Sequence, residues 1–199
     1  DDGSPLPEDG YVRPFPGTLY PITKLTGELL ATRYKELFDL PLSIVRLASV
    51  YGPMDRWTPG RDFACAPNVM VHKALAGERW TIRGADAVGD FIHGGDVGRA
   101  ICSLLATEKT PNDIYNIGYG APATLAELSD HVCASVKGAA WRPAAEGEAA
   151  DLSGDPGRVT GAWGAYDITR LRADTGWAPM PLRDAIADYV AWVHDVELT

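Results

Sequence analysis

A chain of 199 residues that is 46% hydrophobic has enough apolar material to fold around the core of one full-sized domain or two small ones. Its net charge of −9, pI near 4.8 and 18 scattered Lys and Arg exclude a nucleic-acid surface, because phosphate binding needs clustered cations. Cys65, Cys102 and Cys133 lie far apart with no C-x-x-C pair, which argues against a disulfide framework or a zinc site and fits a reducing cytoplasm. No stretch approaches the about 18 apolar residues of a membrane span, and the opening D-D-G-S-P-L-P-E-D-G is unlike a signal peptide, so no membrane partner is expected. The chain starts on Asp1 in a turn-rich segment, which points to a fragment, a processed product or one piece of a longer protein.

Residues 1–18 are rich in Pro and Gly and read as a loop. A helix is expected from Tyr20, with Pro21 in a first turn that needs no backbone donor. Leu25, Leu29, Leu30, Tyr34, Leu37 and Phe38 continue it at helical spacing, and Pro41 stops it. The run L-S-I-V-R-L-A-S-V-Y-G-P, β-branched and bounded by Gly52 and Pro53, predicts a buried strand of a parallel sheet. Helix then strand in this order is the second half of a βαβ unit.

Residues 62–77 read as helix, R-W-T-I-R-G as a short strand, and Asp96 as the cap of a helix reaching about Thr107. His93, after two apolar residues, reads as a packed or capping residue. Residues 114–118 predict a strand, and Thr124 caps a helix to Val136. Residues 142–165 read as a mobile loop, and Leu182 to about Val196 as the final helix, with Ile186, Tyr189, Val190 and Val193 on one face. Asp55, Arg56, Arg61 and Asp62 form a charged loop in which Arg56 or Arg61 could hold an anionic group.

One spacing carries chemistry. In T-L-Y-P-I-T-K, Tyr20 and Lys24 stand four residues apart, on one face of the expected helix. An ammonium beside a phenol favours the phenolate, which can take a proton from a substrate hydroxyl while the neighbouring carbon gives hydride to a nicotinamide.

The order Y-P-I-T-K-x-x-x-E, R-L-A-S-V-Y-G-P, A-L-A-G-E, D-F-I-H-x-x-D-V and I-Y-N-I-G resembles the extended short-chain dehydrogenase/reductase family, the NAD-dependent epimerase/dehydratases, from about Leu6 to Val193. The resemblance implies an α/β fold: the C-terminal part of a Rossmann-like parallel sheet with a smaller α/β substrate-binding region. Residues 1–53 would end the dinucleotide-binding fold, and 54–199 would mainly bind substrate, with 90–118 returning to the sheet. It also implies NAD or NADP as cofactor and a sugar-derived substrate. By position, Tyr20 matches the catalytic base and Lys24 its partner, which also holds the nicotinamide ribose. Leu47 and Ala48 match the strand end beside the nicotinamide, Ser49 a substrate-binding Asn, Asn68 and Val69 a pair that contacts phosphate or sugar, and Arg158 a late arginine on the diphosphate.

Ser49 in place of Asn, and Gly89 where many nucleotide-sugar enzymes carry Arg, leave room for a smaller sugar acid or lactone. The family's glycine-rich strand-to-helix turn and its catalytic Ser or Thr would both lie upstream of this sequence. The partners expected are therefore a sugar-derived small molecule and either a second copy of the chain or a companion N-terminal segment. The alternative is a non-catalytic fragment, or half of an assembled protein acting as an interaction domain.

Overall fold

The computed structural model describes residues 4–10, 19–55, 64–154 and 164–197. Helix α1 (Leu19–Phe38) begins one residue before Tyr20, with Pro21 in its first turn. It ends where Asp39 takes a positive φ of 48°, ahead of Pro41, and Lys35 in its last turn suits the negative end of the helix dipole.

The run predicted as one buried strand is instead two short ones, β1 (Ile44–Leu47) and β2 (Ser49–Tyr51). The chain changes partner at Ala48. β1 pairs in parallel with β6 (Ile114–Ile117), and β2 pairs in parallel with β5 (Phe91–His93). The Ala48 N–H donates to the Ile117 carbonyl, and the next N–H, on Ser49, donates to the Asp90 carbonyl. Only Tyr51 and Gly52 of this run are buried, and among the described residues β1 and β2 each have a strand neighbour on one side only.

Helix α2 (Ala66–Leu75) starts after Cys65, with Pro67 in its opening turn, later than the predicted residue 62, which lies outside the described residues. The predicted strand is β3 (Trp80–Arg83). The 142–165 segment is not all loop: β8 (Trp141–Pro143) and β9 (Leu152–Ser153) both pair in parallel with β3. Short strands β4 (Val88–Gly89) and β7 (Ala123–Thr124) pair antiparallel.

His93, and not Asp96, caps α3 (Gly94–Ala106): its side chain accepts the Gly95 N–H. Asp96 sits in the first turn, 1% exposed, and accepts from Arg99 and from the Met180 N–H at 3.1 Å, so its carboxylate is spent on a distant segment. Thr124 caps α4 (Leu125–Ser135) as predicted, in a reciprocal capping box with Glu127. Helix α5 (Thr169–Thr175) has too few apolar residues to announce itself in the sequence. Helix α6 (Leu182–Trp192) runs on into one π-helical turn, Val193–Glu197.

Two hydrophobic clusters result. One gathers α2, α4 and α6 around Met70, Trp80, Leu128, Ile186 and Tyr189. The other packs α3 and α5 on the β1–β6 and β2–β5 strands around Ile92, Ala100, Tyr115, Ile117, Leu171 and Trp177. Helix α1 belongs to neither and has no buried residue.

Candidate active site

Polar contacts, in place of a core, hold the Tyr/Lys helix. Glu28 lies four residues beyond Lys24, so Tyr20, Lys24 and Glu28 follow one another along neighbouring turns of α1. The Glu28 carboxylate accepts two bonds from the Arg46 guanidinium on β1, at 3.0 and 2.5 Å. Both side chains are largely shielded, which makes this pair worth more than an open surface bridge. At the other end, Lys35 Nζ donates to the Leu42 carbonyl at 2.8 Å and to Asp113 at 2.6 Å.

Tyr20 is 71% exposed, and the Lys24 ammonium stands over its ring, 5.2 Å from the centroid. The ammonium thus meets the face of the phenol ring, a cation–π contact between neighbouring turns of α1. Tyr166 lies within electrostatic reach of Tyr20, Arg46 and Asp90; burial, the largest influence, pushes its phenol up.

Asp90 organises the strand ends around them. Its buried carboxylate accepts the Tyr119 N–H at 2.6 Å, the Gly120 N–H at 3.1 Å and the Tyr166 N–H at 3.0 Å. Burial raises this carboxyl above its ordinary range, and the three backbone donors pull it back only in part. Gly118 is required beside it, since a Cβ there would stand 2.6 Å from Asp90 Oδ2. Through the carbonyl of Asp90, the Ser49 N–H is tied to the same node.

A strap crosses this end of the sheet. Glu8, 4% exposed, accepts the Asn116 N–H at 3.0 Å, and its carbonyl accepts from Arg46. Leu6 forms a parallel bridge with Tyr166.

The predicted residues thus fall into groups. Tyr20 and Lys24 come together on α1. Leu47, 43% exposed, Ala48 and Ser49 lie at the step between β1 and β2. Asn68 and Val69 open α2, and the Asn68 amide is committed to the Asp55 carbonyl and, at 2.9 Å, to the Tyr189 hydroxyl. Among the described residues no hydrogen bond or ion pair joins Asn68 to Tyr20 or Lys24. Arg158, Arg56 and Arg61 lie outside the described residues.

Sequence reading missed Asp90, Tyr166 and Glu8 as organisers. Asp90 carried one signal, a carboxylate followed by two apolar residues that mark it for burial.

Residues 1–118 match the NAD dependent epimerase/dehydratase family. The chain belongs to that family. It is 33% identical over 175 residues to a dTDP-4-dehydro-6-deoxy-D-allose reductase of Streptomyces bikiniensis, a match covering 87% of this chain and 49% of the relative. A dTDP-L-rhamnose 4-epimerase of Burkholderia thailandensis is 29% identical over 184 residues, covering 90% of this chain and 47% of the relative. The crystal structure of a UDP-glucose 4-epimerase from Thermotoga maritima, with UDP-glucose, superposes with a TM-score of 0.73 at 26% identity, over 97% of this chain and 58% of that one. The chain thus spans about half the length of the curated relatives it matches. The fold is the Rossmann type with parallel strands, and the family is one of sugar-modifying enzymes.

Proposed function

We propose that the complete protein is an NAD(P)-dependent oxidoreductase of the epimerase or reductase type, acting on a sugar-derived substrate. The observation that carries this reading is the Tyr20–Lys24 pair, exposed on a helix that Glu28 and Arg46 bolt to β1 of a parallel sheet. Ligands of open α/β sheets bind beyond the carboxyl ends of the strands, and Leu47, Ala48 and Ser49 stand where β1 gives way to β2. Residues 1–53 then serve the cofactor and 54–199 mainly the substrate, with 90–118 completing the sheet.

The residues present fit the nicotinamide end of the cofactor. Tyr20 and Leu47 offer exposed surface, and Lys24 supplies the cation that would hold the ribose hydroxyls, with Ala48 beside the ring. When bound, NAD or NADP supplies the acceptance and return of hydride. Tyr20 takes the proton from the substrate hydroxyl, and Lys24 keeps positive charge next to that oxygen. Ser49, Asn68, Val69 and Arg158 are assigned to the substrate. The reductase and epimerases among the relatives act on dTDP- and UDP-sugars, which favours a nucleotide-linked sugar over the smaller sugar acid. The complete protein, assayed with NAD and NADP across dTDP-sugars, UDP-sugars and sugar acids, should turn over a nucleotide-sugar; turnover of none of them would overturn the reading.

A second reading, half of an assembly, has its own support. Leu19, Leu29, Leu30, Tyr34, Leu37 and Phe38 are each more than half exposed on α1, and one side of β1 lacks a strand partner among the described residues. Either a second copy or a companion segment would cover them. Calorimetry separates the two readings: NAD binding by this chain alone favours the self-contained enzyme, and binding only after an N-terminal partner is added favours the assembly.

A further inference from the structure

His93 stands where the two hydrophobic clusters meet. It ends β5 in register with Tyr51 and is 3% exposed. Its Nδ1 accepts the Gly95 N–H at 3.2 Å as the cap of α3. A ring nitrogen that accepts a hydrogen bond carries no proton, so in the neutral ring the proton lies on Nε2. Burial is the main reason the ring stays neutral, holding the imidazole below its ordinary range; Asp188 works against this and Arg99 with it.

Nε2 is buried without a hydrogen-bond partner, yet it stands 3.4 Å from Asp188 Oδ2 on α6. Around it the space is closed. Gly52 holds a φ of +126° against the ring, and a Cβ there would lie 2.9 Å from Cδ2 and 3.0 Å from Nε2. Tyr51 meets the ring edge-on at 5.7 Å, its hydroxyl also buried and unpartnered, and Asp188 is within its electrostatic reach. Of these two buried donors on the β2–β5 strands, His93 Nε2 directly faces a carboxylate on α6, and that carboxylate is 59% exposed.

We propose that His93 is a positioning residue: as the Nε2–H tautomer fixed by its capping of α3, it couples to Asp188 and so sets how α6 and its core sit against the strand run that carries Ser49. An unmade donor inside a protein costs free energy, so any approach of Asp188 toward Nε2 is favoured. The coupling spans the two hydrophobic clusters, since α6 belongs to one and α3, with β2, adjoins the other.

The test is nitrogen-15 NMR of the histidine rings in this chain, with two variants. His93→Asn keeps a short acceptor for the Gly95 N–H but cannot reach α6, and it identifies the His93 signals. Asp188→Ala removes the carboxylate from an exposed position without opening a cavity. The expected result is a His93 ring protonated at Nε2 and bare at Nδ1, whose Nε2 signal moves in Asp188→Ala while the Gly95 amide stays. Hydrogen exchange of the α6 amides should quicken roughly threefold in both variants. A ring protonated at Nδ1, or an Nε2 signal indifferent to Asp188→Ala, would overturn the proposal. In the complete enzyme Asp188→Ala should raise KM roughly threefold with kcat held; an unchanged KM would overturn the positioning of Ser49. That last measurement rests on the function proposed above, whereas the NMR and exchange results judge the coupling even if the wild-type protein turns nothing over.

Discussion

Tyr20 and Asp90 show how exposure separates two kinds of important residue. Tyr20 is 71% exposed and contributes little to folding, so Tyr20→Phe in the complete protein should leave the fold and cofactor binding intact. Turnover should fall by roughly 10²- to 10⁴-fold, the usual worth of a general base; near wild-type turnover would remove Tyr20 from the chemistry. Asp90 is the reverse case. Asp90→Ala would strand the three N–H groups of Tyr119, Gly120 and Tyr166, at an expected cost of about 2–4 kcal/mol in urea unfolding. Its pH dependence has a definite sign. The carboxyl is raised in the fold, so the folded chain holds more protons than the unfolded one, and this group's contribution weakens as pH rises through its raised pKa. The Asp90→Ala variant should lose that slope.

Among the elements, α4 and α1 are anchored by opposite means. The capping box of α4 is local: Thr124 Oγ1 accepts the Glu127 N–H at 3.0 Å, and Glu127 accepts the Thr124 N–H at 2.7 Å. Those bonds to Thr124 hold the Glu127 carboxyl below its ordinary range. Its contribution is therefore complete above the unfolded carboxyl's pKa and is lost as pH falls through the depressed folded value, the opposite sense to Asp90. Thr124→Ala should cost about 1 kcal/mol at neutral pH, and less in acid, by thermal unfolding. Helix α1 depends on distant partners. Glu28→Ala leaves the largely shielded Arg46 without its carboxylate and should cost about 1–3 kcal/mol, with loss of amide protection concentrated in α1. Protection unchanged there would mean that something other than this pair holds the helix.

At the scale of the whole molecule, the outstanding feature is that α1 turns its apolar arc outward. Glu28 and Lys35, toward one side of the helix, meet the β1–β6 strands, while Leu19, Leu30 and Leu37 face away and remain exposed. Soluble proteins seldom leave so much contiguous apolar surface open, so the chain in isolation should associate as its concentration rises. Sedimentation should show this association, and Leu30→Glu with Leu37→Glu should abolish it without loss of helix content.

The sequence by itself determined the period of α1, the parallel strand run, the Thr124 cap and the apolar face of α6, because each is written in neighbouring residues whose spacing matches a helix or strand. It also carried the Tyr20–Lys24 pair, since four residues of helix bring two side chains to one face whatever surrounds them. Only the tertiary structure decided that the strand run changes partner at Ala48, that His93 rather than Asp96 caps α3, and that β8 and β9 flank β3. Those outcomes turn on contacts between residues far apart in sequence: Asp96 with Met180, Ser49 with Asp90, Asp90 with Tyr166. A side chain with one carboxylate can cap its own helix or hold a remote segment, and the choice is made by the free energy of the packed whole, which no local pattern encodes.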